Sequence, residues 1–123
     1  MLDSLRRFKA GVFQAMAHPT RVGIVEQLRL GELSVGQLCE RLGVEQSNAS
    51  QHLAILRSRH LVETRKDGNQ IFYRLRDPSF GEVLELLRQF YLSHMQEALA
   101  VFQEEKQAEA RAKPKRMKAR SRS

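Results

Sequence analysis

The sequence predicts a mainly helical fold in which four helices precede a β-hairpin and a fifth, long helix follows it. Apolar residues recur every three or four positions through most of the chain, which is the period of an amphipathic helix. Between residues 61 and 76 the period changes to two, and Asp67-Gly68 separates the two alternating runs, a strong hairpin signal. The 123 residues, 41% of them hydrophobic, are enough for one small core, which oligomerisation would enlarge.

The first two helices are indicated by apolar spacing and by a proline. Pro19 is well placed to open a second helix over about 19–30, because proline is tolerated in a first helical turn. The first helix is predicted over residues 2–17, where the apolar residues with helical spacing include Leu5, Phe8 and Val12.

The next two helices form a helix-turn-helix pattern. Ser34-Val35-Gly36-Gln37 fits a capping box, in which the serine and glutamine side chains satisfy each other's free backbone N–H groups. Gly43 ends this third helix, and a tight turn leads into a fourth helix over about 46–58. One side of the fourth helix is an apolar stripe of Ala49, Leu53 and Leu56, and the opposite side is short and polar.

The fourth helix and the hairpin have the side chains that a nucleic acid partner requires. A major groove admits one helix, and short donor–acceptor side chains read base edges there. Residues 46–76 also carry a local net charge of +4, which is the electrostatic footprint of such a partner. The residues predicted to contact DNA from this region are Gln46, Ser47, Asn48, Ser50, Gln51, Arg57, Arg65, Lys66 and Arg74. Two alternatives stay open: the polar side is an ordinary solvated face, and Arg65 and Lys66 protect a strand edge against aggregation.

The last helix is predicted to begin at Pro78 and to end near residue 106. Its apolar residues step by four and three, the spacing of a seam that packs against another helix. The stripe is too long to bury in so small a body, and the first helix has a comparable surplus of apolar surface. We therefore expect a homodimer through the N- and C-terminal helices, on two-fold symmetry. The predicted dimer contacts are Leu5, Phe8, Val12, Leu84, Leu87, Tyr91, His94 and Ala98.

Residues 107–123 are predicted to be a basic tail, separate from a DNA-binding and dimerisation domain over 1–106. From Lys106 to the end there are eight basic residues and one acidic residue, so the whole net charge of +7 lies there. A segment of this composition cannot bury apolar area, and we expect it to be disordered. It either adds phosphate contacts to DNA or only solubilises the chain.

Taken together, five segments resemble the ArsR/SmtB family of bacterial winged-helix repressors. They are His18-Pro19-Thr20-Arg21, Glu32-Leu33-Ser34-Val35, the run Gln46 to Leu53, Leu61-Val62 and Tyr73-Arg74-Leu75. The resemblance covers about residues 5–95. It implies a winged helix-turn-helix repressor that binds a palindromic operator as a homodimer, near its own promoter, and is released by an inducer. In that family the helix matching 46–58 enters the major groove and the hairpin forms the wing. Ser50 and His52 fall on the recognition-helix motif, which adds His52 to the predicted DNA contacts.

Metal sensing, which is common in that family, is not expected here. One family site needs thiolate ligands on the third helix, and Ser34 and Gly36 stand at those positions. At the family's site on the last helix, Asp77 is the one ligand that remains. His94 and Glu97 form a weaker candidate pair one turn later. We predict no metal and no cofactor, and the effector is unidentified.

Several other classes of protein are disfavoured by the sequence. The single cysteine, Cys39, excludes a disulfide framework, and we interpret it as a small buried hydrophobe, with a redox role left open. The longest uncharged runs have eleven residues, whereas a membrane span needs about 20, and the N-terminus lacks an apolar signal core. We therefore expect a cytoplasmic protein without a membrane partner. No catalytic motif is present, so an enzyme is not expected. The alternative function is a winged-helix protein-interaction module whose basic tail binds RNA or another partner.

Overall fold

A computed structural model describes residues 1–112 as five α-helices and a three-stranded sheet. The helices are α1 (Leu2–Ala15), α2 (Pro19–Arg29), α3 (Val35–Leu42), α4 (Gln46–Ser58) and α5 (Phe80–Ala112). The strands are β1 (Leu33–Ser34), β2 (Val62–Asp67) and β3 (Gln70–Leu75). This order confirms the predicted helical fold with its hairpin. It also contains β1, which the sequence analysis did not predict.

The chain consists of two units, of which the first has the hydrophobic core. The first unit, Met1–Leu84, contains every element up to the start of α5, and the second unit begins at Glu85. In the described part of the second unit, α5 is the one element. The largest fully buried side chains all belong to the first unit and are Ile24, Val25, Leu38, Leu53, Leu56 and Val62. Burial of these side chains, at about 25 cal/mol per Å² of apolar surface, is the main contribution that stabilises the unit.

The junction between α3 and α4 follows the sequence signals closely. Gln37 donates its backbone N–H to Ser34 Oγ at 3.2 Å, and the Ser34 N–H donates to Gln37 Oε1 at 2.9 Å, so the capping box is formed. Gly43 has a φ of 65°, a left-handed conformation that glycine adopts without steric cost. The helix-turn-helix predicted from these residues is therefore confirmed.

The sheet is antiparallel, with the order β1-β3-β2. Asp67 pairs with Gln70, so the hairpin loop is Gly68-Asn69 rather than the predicted Asp67-Gly68. Gly68 has a φ of 60°, which fits a two-residue turn with glycine in its first central position. Strand β1 has two residues and pairs with Tyr73 and Phe72 of β3. A segment this short carries no alternation, which is why the sequence did not reveal it.

Helix α5 continues past its predicted end. It is helical to Ala112, so the prediction that residues 107–112 belong to a disordered tail is wrong. This stretch consists of Gln, Ala, Glu and Arg, which have high helix propensity, and adding residues to an existing helix avoids the cost of nucleation. Residues 113–123, the remainder of the predicted tail, lie outside the described residues. No helix within residues 1–112 is long and apolar enough to cross a membrane.

Candidate nucleic-acid interface

Helix α4 is fixed in its rotation by a fully buried side. Ala49, Leu53 and Leu56 have no accessible surface, and the helix contacts α2, α3 and β2. The five polar residues predicted to contact DNA are all exposed: Gln46, Ser47, Asn48, Ser50 and Gln51. At about 100° per residue, Ser47 and Gln51 lie on the side away from the buried stripe, and Gln46, Asn48 and Ser50 lie at its flanks. Their side chains make no hydrogen bond to another residue in the described part of the chain. Donors and acceptors are therefore presented to solvent from a rigid element.

A shallow groove runs between α4 and the hairpin. It has a volume of about 420 Å³ and is lined by Ser50, Ala54, Arg57, Ser58 and Tyr73. Ser50 and Arg57 were predicted as DNA contacts, and the structure brings them together along one side of this groove. Tyr73 was not among the predicted site residues. It belongs to the segment Tyr73-Arg74-Leu75 that carries the family resemblance, but the strand alternation puts it on the same face as buried Leu75 and so suggested packing.

The two faces of the hairpin differ in which basic residues they carry. Residues directly opposite each other in an antiparallel pair share a face, so the register of β2 and β3 sorts the side chains. Lys66 shares a face with buried Val62 and with Tyr73, the residue that lines the groove. Arg65 and Arg74 lie together on the other face. The three predicted wing contacts thus fall on two surfaces.

Arg65 is held by carboxylates on both sides. Its Nε donates to Glu32 Oε1 at 2.7 Å, and its Nη1 lies 3.6 Å from Asp67 Oδ2. The hydrogen bond to Glu32 raises the pKa of the Arg65 guanidinium, and the charge of Asp67 acts in the same direction. The Arg65 guanidinium also lies over the ring of Phe72, 5.0 Å from the ring centroid. Its charge is therefore compensated within the protein.

Arg74 is paired in a similar way. Its Nε donates to Glu63 Oε1 at 2.8 Å, across the strand pair. Four basic residues between positions 46 and 76 lack an acidic partner within residues 1–112, and all four are exposed: Arg57, Arg59, Lys66 and Arg76. The predicted local charge of +4 is therefore available, but half of it comes from Arg59 and Arg76, which were not assigned to the site.

His52 does not join the exposed polar side of α4. It is half-buried, and its Nδ1 lies 3.1 Å from Arg21 Nη1. Its ring contacts the tilted ring of His18, with centroids 4.2 Å apart. Burial lowers the pKa of His52, and the neighbouring His18 and Arg21 lower it further. The structure therefore places the His52 ring against Arg21 and His18, and a contact of His52 with DNA stays a prediction.

The residues predicted to form the dimer differ in their exposure. Leu5 and Phe8 on α1, and Leu87 and Tyr91 on α5, are exposed, as are His94 and Ala98. Val12 and Leu84 are half-buried and pack against the core of their own chain. The structure also exposes large apolar side chains beyond the predicted seam, namely Phe13, Leu86, Phe90, Leu92, Met95, Leu99 and Phe102. Each of the two helices thus exposes more apolar side chains than the predicted dimer contacts include.

The weaker candidate metal ligands do not belong to a group of metal-binding side chains in the described part of the chain. Among residues 1–112, no three His, Cys, Asp or Glu side chains are grouped as a metal would require. His94 and Glu97 are exposed on α5. Cys39 on α3 is a half-buried free thiol.

Comparison with known proteins gives the family. Residues 18–64 match the model described as bacterial regulatory protein, arsR family. The protein Rv0081 of Mycobacterium tuberculosis, described as an uncharacterised HTH-type transcriptional regulator, is 35% identical over 103 residues, which is 83% of this chain and 90% of that protein. The chain belongs to the ArsR family of bacterial regulatory proteins. This confirms the predicted family resemblance.

Solved structures and a named repressor agree with this assignment. The crystal structure of Rv0081 is similar with a TM-score of 0.71 at 35% identity, over 77% of this chain and 96% of that one. Mb0332 of Mycobacterium bovis, described as a homodimeric winged helix-turn-helix DNA-binding domain, has a TM-score of 0.71 at 27% identity, over 77% and 88% of the two chains. The biofilm growth-associated repressor of Xylella fastidiosa is 35% identical over 89 residues, 72% of this chain and 78% of that protein. The winged helix-turn-helix fold is confirmed. The relatives are transcriptional regulators, which weighs against an enzyme.

Proposed function

We propose that this ArsR-family chain is a transcriptional repressor that binds a palindromic operator as a homodimer and is released by an effector. One observation carries the proposal: α4 exposes an unpaired polar side directly opposite a fully buried apolar stripe. A helix held in this way can enter a major groove without ordering its backbone first. Binding then avoids the entropic cost of ordering the backbone, which is one of the costs of association.

Base reading is assigned to one side of α4 in this proposal. Ser47, Ser50 and Gln51 are three and four residues apart, so they are neighbours on the helix surface. A glutamine can pair bidentately with adenine in the major groove, and a serine reaches either bases or phosphates. We assign phosphate contacts to Arg57, which lines the groove beside α4, and to Lys66, on the wing face that contains Tyr73. Such contacts fix the register on the duplex.

Dimerisation is supported by the uncovered aromatic residues of the two terminal helices. Phe8 and Phe13 on α1 are 63% and 67% exposed, and Phe90 on α5 is 74% exposed. Large exposed apolar patches mark interaction sites in soluble proteins, and a relative, Mb0332, is described as homodimeric. A two-fold dimer would present two α4 helices to half-sites about 34–36 Å apart. An effector would then act by changing their spacing, with a coupling of about 1–3 kcal/mol.

We propose a repressor without a resident metal or cofactor, acting in the cytoplasm where its operator lies. The thiolates of the family's third-helix site are replaced here by Ser34 and Gly36. The Ser34 hydroxyl is committed to capping α3, since it accepts a hydrogen bond from the Gln37 N–H. It is a poor ligand for a soft metal in any case.

The test is selection of DNA by the full-length chain. A pool of random duplexes of about 30 base pairs, long enough for two half-sites, is enriched on the purified protein, and the recovered sequences are read. We expect the pool to converge on a palindrome, bound by a dimer in sedimentation analysis, and the affinity for this selected duplex to exceed that for a scrambled duplex of the same composition.

A double variant locates the preference on α4. Ser50→Ala with Gln51→Ala is expected to remove the preference for the selected duplex and to change binding to the scrambled duplex little. Gln103→Ala, which truncates an exposed glutamine on α5, is the matched control and should keep the preference. A pool that never converges, or a chain that stays monomeric, would refute the proposal. A preference for RNA over duplex would favour the alternative of an interaction module.

A further inference from the structure

Three side chains connect α1, α2 and the recognition helix α4 within the first unit. Arg21 Nη1 lies 3.1 Å from His52 Nδ1 on α4, and Arg21 Nε donates to the carbonyl oxygen of Ala15, the last residue of α1. The His18 ring contacts the His52 ring, with centroids 4.2 Å apart and the ring planes tilted by 40°. His18 also caps α2, since its Nδ1 accepts the N–H of Thr20 at 3.1 Å. A single guanidinium thus contacts both α1 and α4.

The contact with Arg21 defines the protonation state of His52. Arginine has only donors and stays charged in proteins, so His52 Nδ1 must be the acceptor of the Arg21 contact. A backbone N–H is likewise only a donor, so His18 Nδ1 accepts as well. The His52 imidazole is therefore neutral, with its proton on Nε2, and only this state lets Nδ1 accept from Arg21.

Protonation of His52 would break the arrangement. A proton on His52 Nδ1 would place an N–H against the Arg21 N–H and bring a second positive charge beside the guanidinium. Helices α2 and α3 and strand β2 all pack on α4. The electrostatic influences on His52 come from His18 and Arg21, and within residues 1–112 neither α3 nor β2 contributes a charged group to it. No carboxylate in that range compensates the added charge.

We propose that His52 is a positioning residue for the recognition helix and that its protonation releases α4 from Arg21 and weakens DNA binding. The proposal rests on the proposed function for its second half, while the release itself concerns the protein alone. The direction in which pH changes the stability of the fold follows from the number of protons that the folded and unfolded chains bind. Because the pKa of His52 is lowered in the fold, the unfolded chain binds more protons, and stability is lost as the pH falls below the ordinary histidine value of about 6.5 and through the lower value in the fold.

The expected change of DNA affinity on acidification is opposite to the usual one. Protonation of a histidine near DNA normally adds a positive charge and strengthens binding to phosphates. A decrease of affinity on acidification therefore identifies the release of α4 rather than a general charge effect. Exposed His60, at the end of α4 but outside the hydrogen-bonded cluster, provides the comparison within the same chain.

The first experiment needs no DNA. The imidazole resonances of the four histidines are followed by NMR in the full-length chain from about pH 8 to about pH 5. We expect His52 to titrate below the ordinary histidine value of about 6.5, and its ring shifts to move together with the backbone resonances of Arg21. A His52 that titrates at or above this ordinary value would overturn the proposal, whether or not the chain binds DNA.

The second experiment measures affinity for the selected duplex and for its scrambled counterpart at about pH 7.5 and about pH 5.5. The wild-type affinity for the selected duplex is expected to fall about fivefold, the equivalent of removing one hydrogen bond. In His52→Gln the amide oxygen can accept from Arg21 but cannot titrate, so the affinity should be the same at both pH values.

His60→Asn is the control, because asparagine tolerates the positive φ of 59° at this position. It should keep the wild-type pH dependence. Circular dichroism at each pH checks that the chain stays folded. Wild-type affinity that is constant or rises on acidification, or a His52→Gln variant that keeps the wild-type decrease, would overturn the proposal. Absence of any preference at about pH 7.5 would count against the proposed function instead.

Discussion

The recognition helix and the wing were both predicted to bind DNA, yet they present their side chains in different ways. On α4 the polar residues are exposed, and their side chains are unpaired within the described part of the chain. The buried residues of the same helix fix its rotation. On the wing, Arg65 and Arg74 are each held by acidic neighbours, at 2.7 Å and 2.8 Å. A basic residue counted in a sequence is therefore not always a free charge in the structure.

The same contrast exists between adjacent residues of α4. Gln51 points to solvent, whereas the ring of His52 turns to α2 and contacts Arg21. One residue along a helix is a rotation of about 100°, which is enough to move a side chain from the groove-facing side to the packed side. A motif that spans both residues therefore combines a reading role with a positioning role.

The largest expected effect concerns the support of α4. Leu53→Ala removes a fully buried side chain from the core and should lower the free energy of unfolding by about 2–5 kcal/mol, measured by urea denaturation. Ile55→Ala on the same helix is the control, since Ile55 is 41% exposed and should cost about 1 kcal/mol or less. Equal losses would mean that α4 is not fixed by its buried stripe.

The next effect separates the two faces of the wing. Lys66→Gln should weaken binding to selected and scrambled duplexes alike. It should also reduce the slope of log affinity against log salt by about 0.9 for each phosphate that is no longer neutralised. Arg65→Gln should change this slope less, because Arg65 would have to leave Glu32 to reach a phosphate. The measurement is a salt titration of affinity. Equal changes in the two variants would show that the ion pair exchanges freely for DNA.

A smaller effect is expected from changing Glu32, the acidic partner of Arg65. Glu32→Gln removes the negative charge from the group that accepts the 2.7 Å hydrogen bond of Arg65. The weaker hold on Arg65 should raise the affinity for scrambled duplex about two- to fivefold at low salt. Glu26→Gln makes the same change of charge at an exposed position of α2 and serves as the control. If both variants gain equally, net charge rather than release of Arg65 explains the gain.

The smallest effect is expected from the exposed pair of Arg74 and Glu63. Their side chains are 51% and 41% exposed, so solvent screens the attraction. Glu63→Gln should change the free energy of unfolding by no more than about 1 kcal/mol, again by urea denaturation. A loss comparable to that of Leu53→Ala would mean that this face of the wing is structurally as important as the core.

Most of the fold is predictable from local signals, and particular residues show why. The Ser34–Gln37 capping box, the left-handed Gly43 and the Leu53–Leu56 stripe each act within one or two helical turns, so their spacing in the sequence is their spacing in space. Strand β1 and the continuation of α5 to Ala112 were missed for different reasons. The pairing of β1 depends on where β3 lies in the folded chain. The end of α5 was missed because residues 107–112 were assigned to the tail by the net charge of the whole tail, although their helix propensity is high.

The sequence by itself determined the order of elements, the helix-turn-helix junction and which side of α4 is apolar, because periodicity and capping are local and act through nearest neighbours. The tertiary structure decided which polar and basic side chains are available for a partner. Glu32 is 33 residues from Arg65, and Arg21 is 31 residues from His52. Contacts of this range arise only when the chain has folded, so no local pattern encodes them.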